Sequence, residues 1–272
     1  MSLVISTYPS IPSRERRTLK YGPVLSAFAY NSMTKKQDEF AIRSHTLASE
    51  AAKKGKFTDI APVFLDGKKP KTISEGNGIR VSTIEKLSTL KPAFVKPHGT
   101  VTAANASYLP DGASTALIMT EEYALANGYK PKAYLRDYMY VAQVPKDQLL
   151  LPPAYVIPKL LDKAGFTLKD VDVFEIHEAF VGQVLANLNA MDSDFFCKDQ
   201  MKRSGKFGRV PMDKLNLWGG SLSIGHPFGA TGVRLASHSA HRLKEEKRQY
   251  AVIAACAAGG HGVGMLLEAY GK

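Results

Sequence analysis

Residues 250–269 read YAVIAACAAGGHGVGMLLEA, and this stretch decides the fold. The run 250–255 is continuously apolar, as expected of a strand covered on both faces. Gly259, Gly260 and Gly262 then supply a turn, and residues 264–269 return as a second strand. Just upstream, residues 230–247 carry Val233, Ala236, Ala240 and Leu243 at helical spacing, which predicts a helix that buries them. Further back, the apolar run 171–176 reads as a strand, preceded by a helix at 155–164. A helix whose Val181, Val184, Leu185 and Leu188 share one face follows it. Strands alternating with helices imply an α/β layered fold, with ligands expected where the strands end.

Three polar motifs stand at such ends: His177-Glu178-Ala179-Phe180, Gly225-His226-Pro227 and Cys256-Ala257-Ala258-Gly259-Gly260. Two imidazoles and a thiol at the mouths of buried strands suit acid–base and thiol chemistry on a carbonyl. Taken singly, each motif is weak. A histidine before proline in a glycine-rich turn is ordinarily a packing or surface residue, and a cysteine ending an apolar strand is ordinarily a small buried hydrophobe. The neighbours reverse that balance. Gly219-Gly220-Ser221 and Phe228-Gly229-Ala230-Thr231-Gly232 let backbone approach a ligand, and the helix that follows directs its positive end to the same place. The small residues after Cys256 leave room for a bulky substrate.

The first half is more loosely patterned. Residues 1–33 read as a loop, with Pro9, Pro12 and Pro23. Residues 1–14 contain no acid and several serines, which fits a transit peptide or a ragged start. Thr34 with Gln37 forms a capping-box pattern, Phe40, Leu47 and Ala51 recur at helical spacing, and Gly55 closes the helix. Lys53, Lys54 and Lys56 lie near its end, where the helix dipole favours cations. Residues 66–78 read as a surface loop and 83–90 as a short helix stopped before Pro92. A small-residue loop, 99–107, precedes the apolar run 113–119, a helix at 121–127, a β-rich segment at 132–144 and a linker at 145–153.

Composition narrows the partners. The chain has 272 residues, 44% of them hydrophobic, and two cysteines, Cys197 and Cys256. It is long enough for a substantial core, and so few cysteines point to a reducing compartment. No apolar run approaches the roughly 18–20 residues that span a bilayer. A formal charge of +11 favours acidic partners: nucleic acid, a lipid surface, or a polyphosphorylated small molecule. There is no nucleic-acid-binding motif and no aromatic–basic interleaving, so nucleic acid is not expected. No histidine pair has metal-ligand spacing with a third partner, and His45, His98, His238 and His241 read as structural or solvent-facing.

In this order and spacing the three motifs resemble the C-terminal domain of the thiolases, which cleave or form 3-ketoacyl-CoA. His-Glu-Ala-Phe, where most thiolases have Asn-Glu-Ala-Phe, is similar to the branch found in the mitochondrial trifunctional fatty-acid oxidation complex. Gln37-Asp-Glu-Phe, Ser44-His45, Lys91-Pro-Ala-Phe, Gly99-Thr-Val-Thr-Ala-Ala-Asn and Trp218-Gly-Gly-Ser extend the match along most of the chain. The resemblance implies a thiolase-like α/β fold: an irregular segment at 1–33, part of the loop domain at 34–98, the end of the N-terminal domain at 99–149 and a complete C-terminal domain at 150–272.

The same resemblance assigns roles. His226 is similar to the base that activates the nucleophilic thiol, Cys256 to the second thiol that exchanges a proton with the acetyl α-carbon, and His177 to the group that polarises the thioester carbonyl. The Ala258 amide matches an oxyanion-hole donor, and Glu178 orients the site. Ser107 and Arg80 resemble contacts to the pantetheine arm and nucleotide of coenzyme A, and Phe180 packs at the substrate site. His261 departs from the family pattern, which has an uncharged polar residue there. The nucleophile's Cys-Xaa-Ser-Gly segment belongs upstream, and neither Cys197 nor Cys256 sits in that context. The expectation is therefore an incomplete N-terminal domain and a polypeptide inactive alone. No bound cofactor is implied, with coenzyme A and acyl-CoA as substrates. Implied partners are a second copy or a trifunctional-type α-subunit, with peripheral membrane contact, in mitochondria. The alternatives are a catalytically dead CoA-binding or scaffolding protein, and a ketoacyl-synthase-like condensing enzyme, which the thiol of Cys256 disfavours.

Overall fold

In the computed structural model, which describes residues 34–96 and 98–271, the chain forms eight α-helices and six strands among those residues. The readings for 1–33 lie outside them. In chain order the elements are α1 (Thr34–Lys53), β1 (Val63–Leu65), β2 (Lys71–Ile73), α2 (Ile84–Ser88), α3 (Glu121–Ala126), β3 (Ala133–Ala142), α4 (Pro145–Gln148) and α5 (Pro152–Ala164). There follow β4 (Val173–Ile176), α6 (Val181–Met191), a π-helical turn (Phe196–Gln200), α7 (Ser221–Ile224), α8 (Phe228–Glu245), β5 (Tyr250–Ala257) and β6 (His261–Ala269).

One mixed sheet, in the order β3-β6-β5-β4, organises the second half. β5 pairs parallel with β4 and antiparallel with β6, and β6 pairs antiparallel with β3. Because successive side chains alternate across a strand, β5 sends Val252 and Ala254 to one apolar layer and Ala251 and Ile253 to the other. The first layer includes α5 and α6, through Val156, Leu160, Val184 and Leu188; the second includes α8, through Leu235 and Leu243. Both faces are thus dry, which is why β5 reads as an unbroken apolar run. Gly259 and Gly260 turn the chain at φ +93° and +79°, and a Cβ on Gly260 would lie 2.2 Å from the Gln143 carbonyl oxygen.

α1 ends as its sequence predicts. Gly55 takes φ +64°, and the Lys56 and Gly55 N–H groups donate to the carbonyls of Ala51 and Ala52, both at 2.9 Å, a Schellman closure. α2 is capped by Thr83, whose hydroxyl accepts from the Lys86 N–H. Gln37 reaches Thr100 Oγ1 (3.1 Å), tying α1 to the loop beyond residue 98.

Several expectations are corrected. Residues 145–153 are no linker: they form α4, a buried Leu149-Leu150-Leu151 run, and the start of α5. Prolines misled the reading, because Pro152 and Pro153 occupy the first helical turn, where a missing N–H costs nothing. No strand forms across 100–119, although 113–119 is apolar. The stretch makes only the isolated bridge Ala106–Phe180, and Leu117 and Ile118 are 76% and 81% exposed, since an apolar run without a pairing neighbour has no ladder to join. The β-rich segment 132–144, read with the N-terminal domain, is instead the edge strand β3 bonded along β6. On α8, Val233, Ala236 and Ala240 are only half-buried. The fully covered face includes Leu235, His238, Ser239 and Arg242, rotated toward β4, where Arg242 Nη1 meets Glu175 Oε1 at 2.6 Å.

Candidate active site

The small-residue loop 99–107 is shaped by one side chain. Asn105 accepts from the Thr102 N–H (2.8 Å) and donates to the Thr100 carbonyl (3.0 Å) and to Asp38 on α1 (3.2 Å). Its own carbonyl accepts from Val181 N–H (2.9 Å), and Ser107 N–H donates to Ala179 (3.0 Å). The loop is thereby fastened beside the end of β4 and the start of α6.

His177 follows β4 directly, and its N–H donates to the Ala254 carbonyl on β5 (2.8 Å). Extending that parallel register by two residues brings Cys256 level with Glu178. The His226 loop arrives between α7 and α8, with its N–H on the Tyr108 carbonyl (3.0 Å). Gly225 is required there: φ is +101°, and a Cβ would lie 2.5 Å from Pro110 Cγ. The two imidazole rings meet with centroids 4.2 Å apart, tilted by 49°. Each is held by its Nδ1, His177 on Ser221 Oγ (2.8 Å) and His226 on Thr231 Oγ1 (2.7 Å).

Electrostatics keep this pair neutral. Burial, then the positive charge of Arg234, lowers His226 to about 4 from an ordinary 6.5. Burial pushes His177 well down too, helped by His226 and Arg234. Cys256, on β5 against Ala179, Phe180, Leu149 and Leu150, is raised to about 12 by burial, so at neutral pH it is a thiol and not a thiolate.

Glu178 is fully buried and holds the site together. It accepts from Ser44 Oγ on α1 (2.8 Å), Asn216 Nδ2 (2.7 Å) and the Leu222 N–H (3.2 Å). Burial raises its pKa, against the lowering effect of Asn216 and Ser44. A Cβ on Gly220 would lie 2.2 Å from its carboxyl carbon, so that glycine is needed for the carboxyl to fit.

A cavity of about 360 Å³ opens between α1, α2 and the 99–107 loop, lined among others by His45, Arg80, Lys86, Ala104, Tyr108 and Leu222. Arg80 is exposed at its wall, with its N–H on His45 Nδ1 (3.1 Å). Ser107 lies between two lining residues, Ala106 and Tyr108. The Tyr108 hydroxyl donates to the Ile224 carbonyl (3.1 Å), linking the cavity wall to the His226 loop. Ala258 is in the turn after β5, half-buried, next to Gly259, against which the exposed His261 ring lies. Phe180 N-caps α6 and packs edge-on to Phe94, with centroids 6.3 Å apart. Among the described residues no cluster of His, Cys, Asp or Glu could hold a metal ion, and no helix is long and apolar enough to cross a membrane.

The sequence reading missed four contributors. His45 lines the cavity instead of lying apart from it, and Thr231, Ser221 and Arg234 hold the imidazoles. Thr231 and Arg234 are three apart on one helix, a spacing that places them on one face, but no local pattern says that Thr231 meets the His226 ring and Arg234 meets Ser221.

The family model "Thiolase, C-terminal domain" matches residues 129–269 and "Thiolase, N-terminal domain" matches residues 25–122. The chain belongs to the thiolase family. It is 89% identical over 246 residues to a probable 3-ketoacyl-CoA thiolase of Caenorhabditis elegans, covering 90% of this chain and 55% of that one. It is 58% identical over 246 residues to the mitochondrial trifunctional enzyme subunit beta of Bos taurus, covering 90% and 51%. The crystal structure of a Bacillus anthracis acetyl-CoA acetyltransferase superposes with a TM-score of 0.81 at 34% identity, over 92% of this chain and 60% of that one. The chain spans about half the length of the curated relatives it matches.

Proposed function

We propose that this chain carries the acyl-CoA site and the acid–base groups of a 3-ketoacyl-CoA thiolase, an acetyl-CoA C-acyltransferase of mitochondrial fatty-acid β-oxidation. The observation that carries the reading is the pair of neutral imidazoles packed ring to ring at the end of β4, with a thiol that burial keeps protonated near the end of the neighbouring strand β5. In thiolysis a cysteine thiolate attacks the C3 carbonyl of a 3-ketoacyl-CoA, the C2–C3 bond breaks, and the electron pair passes to C2 as an enolate of acetyl-CoA. His226, neutral at pH 7, takes the proton from the attacking thiol. His177 stabilises the thioester oxygen as charge develops, with the Ala258 amide as a second donor. Cys256, held as a thiol, gives its proton to C2. Its thiolate then deprotonates incoming CoA, which takes the acyl group from the nucleophile, and His226 returns its proton to the released nucleophile, so both thiols are restored.

Arg80 and Ser107 are proposed contacts to the nucleotide and pantetheine parts of CoA, since the cavity wall carries one and flanks the other. The nucleophile is neither cysteine of this chain. Cys197 is fully buried with its sulfur 3.4 Å from the Met191 carbonyl, and Cys256 has the proton-exchange position. Purified alone, the chain is expected to bind acetyl-CoA but to give no CoA-dependent cleavage of 3-ketohexadecanoyl-CoA. Cleavage by this chain that Cys256→Ser abolishes would mean the nucleophile is misplaced. The division between the two family domains is proposed to fall ahead of β3, because that strand completes the second sheet. Assembly with a second copy or with a trifunctional-type α-subunit is proposed on the strength of the subunit-beta relatives, and contact with a membrane surface on the formal charge of +11.

The test uses a protein in which a Cys-Xaa-Ser-Gly segment accompanies this chain. His226→Ala should remove acylation of that cysteine, read by mass spectrometry of the trapped enzyme. Cys256→Ala should retain acylation and block deuterium exchange at the acetyl α-carbon. Equal trapping by both variants would refute the division of labour.

A further inference from the structure

Ser221 Oγ is held between two groups, His177 Nδ1 at 2.8 Å and Arg234 Nη2 at 2.7 Å, in a residue only 1% exposed. A serine hydroxyl offers one hydrogen and two lone pairs, while a guanidinium can only donate. Arg234 therefore occupies a lone pair of Oγ. The single hydroxyl hydrogen then has one acceptor in reach among the described residues, a lone pair on His177 Nδ1. The opposite arrangement, Nδ1–H donating to Oγ, would bury the hydroxyl hydrogen without an acceptor, which is costly in a dry site.

We propose that Arg234 and Ser221 are positioning residues that lock His177 in the tautomer bearing its hydrogen on Nε2, so that the ring presents an N–H donor to a thioester oxygen. This rests on the acyl-CoA reading of the site. Nε2 fits the assignment, since it makes no hydrogen bond among the described residues. Arg234 serves a second purpose. Its Nη1 is buried without a hydrogen-bond partner, and buried Glu175 and Glu178 act on its charge without an ion pair among the described residues. Its charge opposes a second proton on His177, which would turn the Nδ1 acceptor into a donor and strand the Ser221 hydroxyl hydrogen.

The test reads the tautomer directly, by nitrogen-15 correlation spectroscopy of the purified chain at neutral pH, with His177 assigned by its loss in His177→Gln. The wild-type ring should show a pyridine-type Nδ1 and a pyrrole-type Nε2. Ser221→Ala and Arg234→Met should each shift the Nδ1 resonance toward a mixture of tautomers, and Ser221→Thr should restore the wild-type pattern. Amide spectra of β5 and β6 serve as the check of folding. A pyrrole-type Nδ1 in the wild type overturns the proposal, whether or not the variants fold, and so does an unchanged tautomer in folded Ser221→Ala. Calorimetry with acetyl-CoA and with CoA gives an independent readout. The preference of the wild type for the thioester should fall about three- to tenfold in Ser221→Ala, the size of one hydrogen bond. Absence of acetyl-CoA binding to the wild type would count against the acyl-CoA reading, while the nitrogen spectrum still decides the tautomer.

Discussion

Asn216 shows how much one side chain determines at this site. It adopts φ +47°, accepts from the Ile176 N–H (2.9 Å), and donates to the Ile176 carbonyl (2.9 Å) and to Glu178 (2.7 Å). It closes the end of β4 and holds the buried carboxyl behind His177. Asn216→Ala removes three hydrogen bonds in a dry environment, from the Ile176 N–H and carbonyl and from Glu178 Oε1, and should cost about 2–4 kcal/mol, measured by urea unfolding. The histidines set the acid limb of stability. The folded pKa of His226 is depressed from 6.5 to about 4, so between those values the unfolded chain binds more protons than the folded one. Stability is therefore full above pH 6.5 and is lost as pH falls toward 4, with His177 acting in the same direction. Denaturation midpoints across that window should fall steadily, and His226→Gln should flatten the slope. A slope unchanged in that variant would show that other groups control it. At the residue scale the sequence singled out His177, His226 and Cys256, because they stand in short, spaced motifs, and the structure brings the two imidazoles into contact. It did not disclose Arg234, whose contact with Ser221 joins positions thirteen apart through a turn that no periodicity describes.

At the scale of elements, the sheet is built on close approach. β6 carries Gly262 and Gly264 where α5 crosses it; a Cβ on Gly262 would lie 2.2 Å from Pro152 Cβ, and one on Gly264 3.0 Å from Val156 Cγ2. Gly262→Ala should push the start of α5 off the sheet and cost about 1–3 kcal/mol. Gly229→Ala, at an open helical position, should be neutral or mildly stabilising. Comparing the two urea midpoints distinguishes packing from helix propensity. β4 and β5 were legible as unbroken apolar runs, β6 from the glycine turn before it, and α6 from apolar residues at helical spacing; α8 was legible as a helix, though not in the face it buries. The run 145–153 was not, because its two prolines carry the same signal in a linker as in a first helical turn.

Over the whole molecule, order is unequal. The four-stranded sheet has helices on both faces, while 100–119 lacks strands and exposes Leu109, Leu117 and Ile118. Amide exchange should accordingly be slow in β4 and β5 and fast in 110–119. Uniformly slow exchange in a monodisperse monomer would show that the first half has a compact arrangement beyond the one described. Exposed Val63, Phe64 and Leu65 on the β1–β2 hairpin place further apolar surface away from the sheet, consistent with partial coverage of a larger family fold.

The sequence by itself determined the family and the order along the chain of the last three strands, and it singled out the two imidazoles and the thiol. These are carried by local pattern, by apolar runs, glycine turns and motif spacing, which need no knowledge of distant contacts. Tertiary structure alone decided three things. It placed β3 in the second sheet, because an edge strand belongs to whichever strand offers hydrogen bonds, and here that is β6. It turned α8 so that polar His238 and Arg242 face inward, because buried Glu175 on β4 is there to meet them. And it held the histidines neutral and the thiol protonated, because burial and the nearby charge of Arg234 arise only when α8 and the ends of β4 and β5 come together.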